Sequence, residues 1–186
     1  MQTPDADSVR SALAYFKVSR GFAGIAKPDI GKKIASLLVD HSKRVTPKTA
    51  PTRVSELASA FERELDSNNL LSAASKLLWL RSRTPFVIYD SRAVRALSLE
   101  QRFDKRNYAS YSQAWKLAYR SRQADIHHAL KNLPKFAHFT AAADRGETYI
   151  AEIASHEWFA ERVFDQYLWL VGDPKTTGES DEEADA

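Results

Sequence analysis

The stretch Ser72–Leu97, SAASKLLWLRSRTPFVIYDSRAVRAL, decides how this chain is read. With Leu70 and Leu71 ahead of it, Ala74, Leu77 and Leu78 recur at helical spacing, and apolar side chains cover most of the circumference. That is the pattern of a buried central helix. Residues 84–90, TPFVIYD, are too short for a helix and too apolar for a solvated loop, so a buried connector or a short extended piece is expected. Asp90 then stands where a helix starts, ahead of Ser91, Arg92, Ala93, Val94, Arg95, Ala96 and Leu97, and Asp is a preferred helix N-cap.

Working outward, the same spacing of three and four recurs and no long alternating run appears, which predicts an all-α fold of about seven to nine helices. Val9, Leu13 and Phe16 mark a first helix. Ile30, Ile34, Leu37 and Leu38 mark a second, with Pro28 in its first turn. After the loop VTPKTAPT, Pro51 opens a helix with the stripe Val54, Leu57, Ala58, Phe61 and Leu65, halted by Asp66, Ser67, Asn68 and Asn69. A long helix from Tyr108 to Asn132 is expected to turn Trp115, Ala118, Tyr119, Ile126, Ala129 and Leu130 inward, and Pro134 stops it. The last helices cover 147–154 and 155–171, the latter with the stripe Phe159, Val163, Phe164, Tyr167, Leu170 and Val171 before Gly172 and Pro174.

The chain has 186 residues, 44% of them hydrophobic and 27% charged, with a mean hydropathy of -0.45, as expected of one soluble domain. One domain over 1–171 is expected, followed by a disordered acidic tail over 172–186. No apolar run reaches the roughly 18 residues of a membrane span, and the first thirty residues lack a signal-peptide pattern, so a cytoplasmic protein is expected. The absence of cysteine removes disulfides, thiolate nucleophiles and the usual structural zinc sites. Charge is uneven. Residues 76–135 hold 13 Lys or Arg against four acidic residues, while residues 172–186 hold one Lys against six acids. Such a basic stretch favours a polyanionic partner, nucleic acid first.

The helix from Ser72, the segment Val87, Ile88, Tyr89, Asp90, and the run Ala93, Val94, Arg95, Ala96, Leu97 together resemble the helix-hairpin-helix superfamily of DNA glycosylases. In that family a helix after the hairpin leads through a loop to a Pro-hydrophobic-hydrophobic-Asp segment, and the Asp begins the next helix. The resemblance implies that Asp90 is the catalytic carboxylate and that the partner is double-stranded DNA with a flipped nucleotide, bound by a monomer without a cofactor. Members that also cleave the strand carry a lysine 18 positions before that Asp. Ser72 occupies this place, which implies a monofunctional enzyme, with Lys76 one turn on as the alternative amine and otherwise a phosphate contact or a surface side chain. The family hairpin carries a Gly-hydrophobic-Gly turn; here Ser67, Asn68 and Asn69 stand in its place and are assigned the DNA phosphate.

The chemistry suits a carboxylate, since breaking an N-glycosidic bond builds positive charge on the sugar. A flipped base needs aromatic surfaces and a distorted backbone needs cations. Tyr89, Trp79, Ser72 and Tyr111 are the candidate pocket, and Lys76, Arg92, Arg95, Lys105 and Arg106 the candidate DNA contacts. Arg92 and Arg95 have a second reading as partners of Glu100 or Asp104, and Asp90 as a cap alone. The bases removed by this superfamily are damaged, mismatched or modified, and some members attack modified phage DNA as an antiviral defence. Two other functions compete. Arg122 and His127 resemble the Arg-x4-x6-His motif of HEPN ribonucleases, and a non-enzymatic helical DNA-binding module would need only the basic surface. No metal site is expected, because His127 and His128 point apart on a helix and His41, His138 and His156 lack carboxylates at ligand spacing.

Overall fold

A computed structural model describes residues 4–22, 24–65 and 70–174. Among them are eight α-helices and no strand: α1 (Ala6–Tyr15), α2 (Pro28–His41), α3 (Ala50–Leu65), α4 (Leu71–Arg81), α5 (Ser91–Glu100), α6 (Tyr108–Leu130), α7 (Gly146–Ser155) and α8 (Glu157–Val171). Short 3-10 turns fall at Ser19–Gly21, Leu133–Phe139 and Ala143–Arg145. The fold is all-α. The assigned phosphate anchors Ser67, Asn68 and Asn69 lie outside the described residues, as does the acidic tail from 175 onward.

By its internal contacts the chain divides into two compact units. The first comprises Met1–Tyr89 with Asp104–Ser112, the second Asp90–Phe103 with Gln113–Ala186.

In the first unit α1 packs on α2, α2 on α3 and α3 on α4. The Asp5 carboxylate caps α1 by accepting from Ser8 N at 2.7 Å. Thr46 and Thr49 fold the loop before α3 into a turn, each backbone N–H donating to the other's hydroxyl at 2.9 and 3.3 Å. α4 has the all-round burial its sequence predicts: Ala73 to Trp79 are buried without a gap.

The connector after α4 is buried at Phe86, Val87 and Ile88, and a buried extended chain must find partners for its peptide groups. Two fully buried tyrosines supply them. The Tyr108 hydroxyl accepts from Val87 N at 3.1 Å and donates to Val87 O at 2.6 Å, while the Tyr111 hydroxyl donates to Ile88 O at 2.7 Å. Tyr89 N donates to Ser75 Oγ at 2.9 Å, which explains a buried serine on an apolar helix. Tyr111→Phe should therefore lower stability by about 1–3 kcal/mol, the cost of a buried carbonyl left unmatched. Urea unfolding measures it, and an unchanged midpoint would show that the bond contributes nothing.

In the second unit α5 packs on α8, α7 on α8, and the turns after α6 on α7. Leu97, Trp115, Tyr119, Phe164 and Leu168 form its core, with Trp115 and Tyr119 stacked at 5.3 Å between ring centres. Two expectations are corrected here. On α6, Ile126 is only half-buried and Ala129 is exposed, because the buried face ends near Tyr119 and resumes at Leu130. On α8, the buried line is Ala160, Phe164, Asp165 and Leu168; Tyr167 and Leu170 are exposed, and Phe159, Val163 and Val171 are half-buried. Apolarity alone misplaced that face because a carboxylate occupies its middle.

Candidate functional site

Asp90 opens the second unit, directly after the tyrosine-held connector. Its backbone is extended (φ -145, ψ 141), its Oδ1 accepts from Arg92 N at 3.1 Å, and its carbonyl accepts from Val94 N at 2.9 Å. It is the N-cap of α5, at the positive end of the helix dipole. The residue is half-buried, between full exposure and a sealed core.

What fixes the start of α5 is the end of α8. Gly172 is buried against α5, and a β-carbon there would stand 1.9 Å from the Arg92 carbonyl oxygen. The Gly172 carbonyl accepts from Arg95 Nη1 at 2.8 Å. Arg92 donates to Asp173 Oδ2 at 2.7 Å, and its guanidinium lies 3.9 Å from the centre of the Trp169 ring. Gly172 and Asp173, assigned from sequence to the tail, are thus part of the fold. Arg92 and Arg95, assigned to DNA phosphates or else to Glu100 or Asp104, are held by these partners from the end of α8. Glu100 pairs with Arg122 instead.

In the first unit, Lys76 is not the surface residue expected of a phosphate contact. It is 5% exposed, on the buried face of α4, and its Nζ donates to Ser72 Oγ at 2.9 Å and lies 5.8 Å from the Phe16 ring centre. Ser72 and Lys76, rivals for one place in the family pattern, are hydrogen-bonded to each other. Tyr111, assigned to the pocket, is wholly buried and holds the connector; its ring centre is 4.9 Å from that of Tyr89. Trp79 is buried too. Tyr89 is half-buried, with its hydroxyl donating to Lys105 O at 2.8 Å. Lys105 and Arg106 are exposed.

The ribonuclease pair is engaged by carboxylates. Arg122 pairs with Glu100 and lies 5.4 Å from the Tyr167 ring centre, and His127 Nε2 is 3.2 Å from Glu157 Oε2. Among the described residues no group of three His, Asp or Glu could hold a metal ion. A shallow groove between the start of α1 and α2, lined in part by Asp5, Arg10, Lys32 and Asp40, contains none of the residues assigned to chemistry.

Sequence reasoning missed a polar seam in the second unit. Glu157, Glu161 and Asp165 follow one another at four-residue spacing on α8, and Trp115, Tyr119, Gln123 and His127 do so on α6. This spacing is the signal that could have found it. Asp165 Oδ1 accepts from Trp115 Nε1 at 2.9 Å, and Glu157 Oε1 accepts from the Tyr119 hydroxyl at 2.6 Å and Gln123 Nε2 at 2.9 Å. Burial raises the Tyr119 phenol above its ordinary value, and the bond to Glu157 adds to it. Burial also raises the Asp165 carboxyl to about 7, against the opposing Arg162 charge and the Trp115 bond, with the Glu161 and Asp90 charges adding to the rise. Glu161 is likewise raised to about 7 by burial and by Glu157, opposed by Lys116.

Because these folded-state values lie above the ordinary carboxyl range, the folded chain binds the extra protons between about pH 4 and 7. Their contribution is complete below that window and is lost as pH rises through about 7. The melting temperature should therefore fall between about pH 5 and pH 8. Asp165→Asn, which keeps an acceptor for Trp115, should flatten that fall, leaving the slope due to Glu161. A variant with the wild-type slope would remove Asp165 as its source.

Comparison with known proteins matches the chain to no family model, no curated protein and no solved structure. Among the described residues no helix is long and apolar enough to cross a membrane.

Proposed function

We propose that this protein is a DNA glycosylase of the helix-hairpin-helix type, acting as a monomer in the cytoplasm on double-stranded DNA with one nucleotide flipped out. Water adds to C1′ of the deoxyribose while the C1′–N bond breaks; the base leaves with the electron pair and an abasic site remains. Asp90 stabilises the oxocarbenium-like sugar and accepts the proton of the attacking water. No cofactor enters this step.

The observation that carries the reading is the setting of Asp90. It is half-buried at a helix N-terminus, preceded by Tyr89 and a connector held by buried hydroxyls, in a chain whose residues 76–135 are strongly basic. A modified base of phage DNA, removed as a defence, is the substrate class we favour within the superfamily's range. The test is incubation of purified protein with cellular and phage DNA, followed by mass analysis of released bases. A free base with a matching abasic site supports the proposal, and no release from any DNA refutes it. A protein–DNA adduct trapped by borohydride with wild type and lost in Lys76→Ala would instead assign strand cleavage to the Lys76 amine.

A further inference from the structure

The segment after α6 turns outward what a core would bury. Across Leu133–Phe139, Phe136 is 53% exposed and Phe139 79% exposed, while Ala137 between them is buried. The segment is held in place. It packs on α7, and Thr140 donates to Ala137 O from both its backbone N, at 3.0 Å, and its hydroxyl, at 2.7 Å. Two helical turns meet at Phe136, whose φ of -107 and ψ of 17 break the helix there.

Along the chain around these rings cations predominate, and the acids of α7, on which the segment packs, are Glu147 and Glu152. Lys131, Lys135 and His138 are exposed, the His138 ring centre lies 4.0 Å from that of Phe139, and from Lys131 to Arg145 the only acidic residue is Asp144. A partner that fits must offer flat faces beside negative charge. Unstacked bases on a phosphodiester backbone do so. A second copy of this chain, meeting the patch with the same patch, would set lysines against lysines.

We infer that Phe136 and Phe139, with Lys131 and Lys135, form a platform on which unpaired DNA bases stack. This rests on the reading of DNA as the partner and is separate from the chemistry at Asp90. Loss of one stacking ring weakens single-strand binding by about 5- to 150-fold.

The test measures affinity of the full chain by fluorescence anisotropy, for a duplex with a central unpaired bubble, a fully paired duplex and single-stranded RNA of the same sequence. Wild type should prefer the bubble. Phe136→Ala/Phe139→Ala should bind the bubble at least about 5-fold more weakly and the paired duplex within about 2-fold of wild type. Lys131→Ala/Lys135→Ala should weaken both and lower the salt dependence by about 2 in the log–log slope. Both pairs are exposed, and circular dichroism should show unchanged helix content. Wild-type affinity of the phenylalanine variant for the bubble overturns the platform. So does tighter binding of RNA than of the bubble, or a wild-type dimer in sedimentation that the phenylalanine variant dissolves. Bubble binding without base release leaves the platform standing and refutes the glycosylase; base release by the phenylalanine variant at unchanged bubble affinity does the reverse.

Discussion

Asp90→Asn should keep the fold and leave DNA affinity nearly unchanged while reducing abasic-site formation by about 100- to 1000-fold, the range for removing one preorganised charge-stabilising group. The substitution separates two roles. Asn is as good an N-cap as Asp, so the bond from Arg92 N to the side-chain oxygen can persist and α5 can start where it does now. What Asn lacks is the negative charge that a developing cation on the sugar requires. Thermal unfolding, DNA binding and alkali-labile site counting on one preparation read the three effects apart. Abasic sites appearing at the wild-type rate would leave Asp90 a cap and nothing more. Asp90→Ala should add a stability loss of about 1 kcal/mol through the missing cap.

Gly172→Ala should be the most damaging small substitution in the second unit. The added carbon meets the Arg92 carbonyl at 1.9 Å, a backbone atom that cannot swing aside as a side-chain tip could. Relief requires the end of α8 to withdraw from α5, which lengthens the Arg95 contact to the Gly172 carbonyl and strains the Arg92–Asp173 pair. Overpacking of this kind costs about 1–3 kcal/mol, or about 2–12 °C in melting temperature for a chain of this size. Because the same contacts set the start of α5, base release should fall further than stability explains. A variant that melts within about 1 °C of wild type would show that the contact relaxes freely.

The helices were legible because their apolar spacing and their punctuation agree. Pro28 begins α2, Asp90 caps α5, and α4 is buried as its unbroken apolar circumference demands. The connector was legible as buried but not in its means of support. Nothing local in VIYD says that its carbonyls meet tyrosines about twenty residues on, so Tyr111 reads as a pocket aromatic when it is a structural donor. Lys76 misled for the opposite reason: a lysine on an apolar helix suggests a snorkelling surface chain, whereas Ser72 one turn back gives its amine a partner inside. The face of α8 was misplaced because its apolar stripe left out Asp165, whose carboxyl stays inside with a bond from Trp115, fifty residues away, and with Arg162 beside it. Around Asp90 the start of α5 and its cap were readable. The hold of Gly172 and Asp173 on Arg92 and Arg95 was not, since it joins segments far apart in the chain.

The Tyr108 hydroxyl both accepts from the backbone N–H of Val87 and donates to its carbonyl. Position 108 consequently needs one oxygen atom at a fixed reach as well as a ring that fills the interior. In a saturation library scored for soluble yield, Phe should fall clearly below Tyr there, and smaller residues, which lose the ring too, lower still, while the exposed neighbour Ala109 accepts broad change.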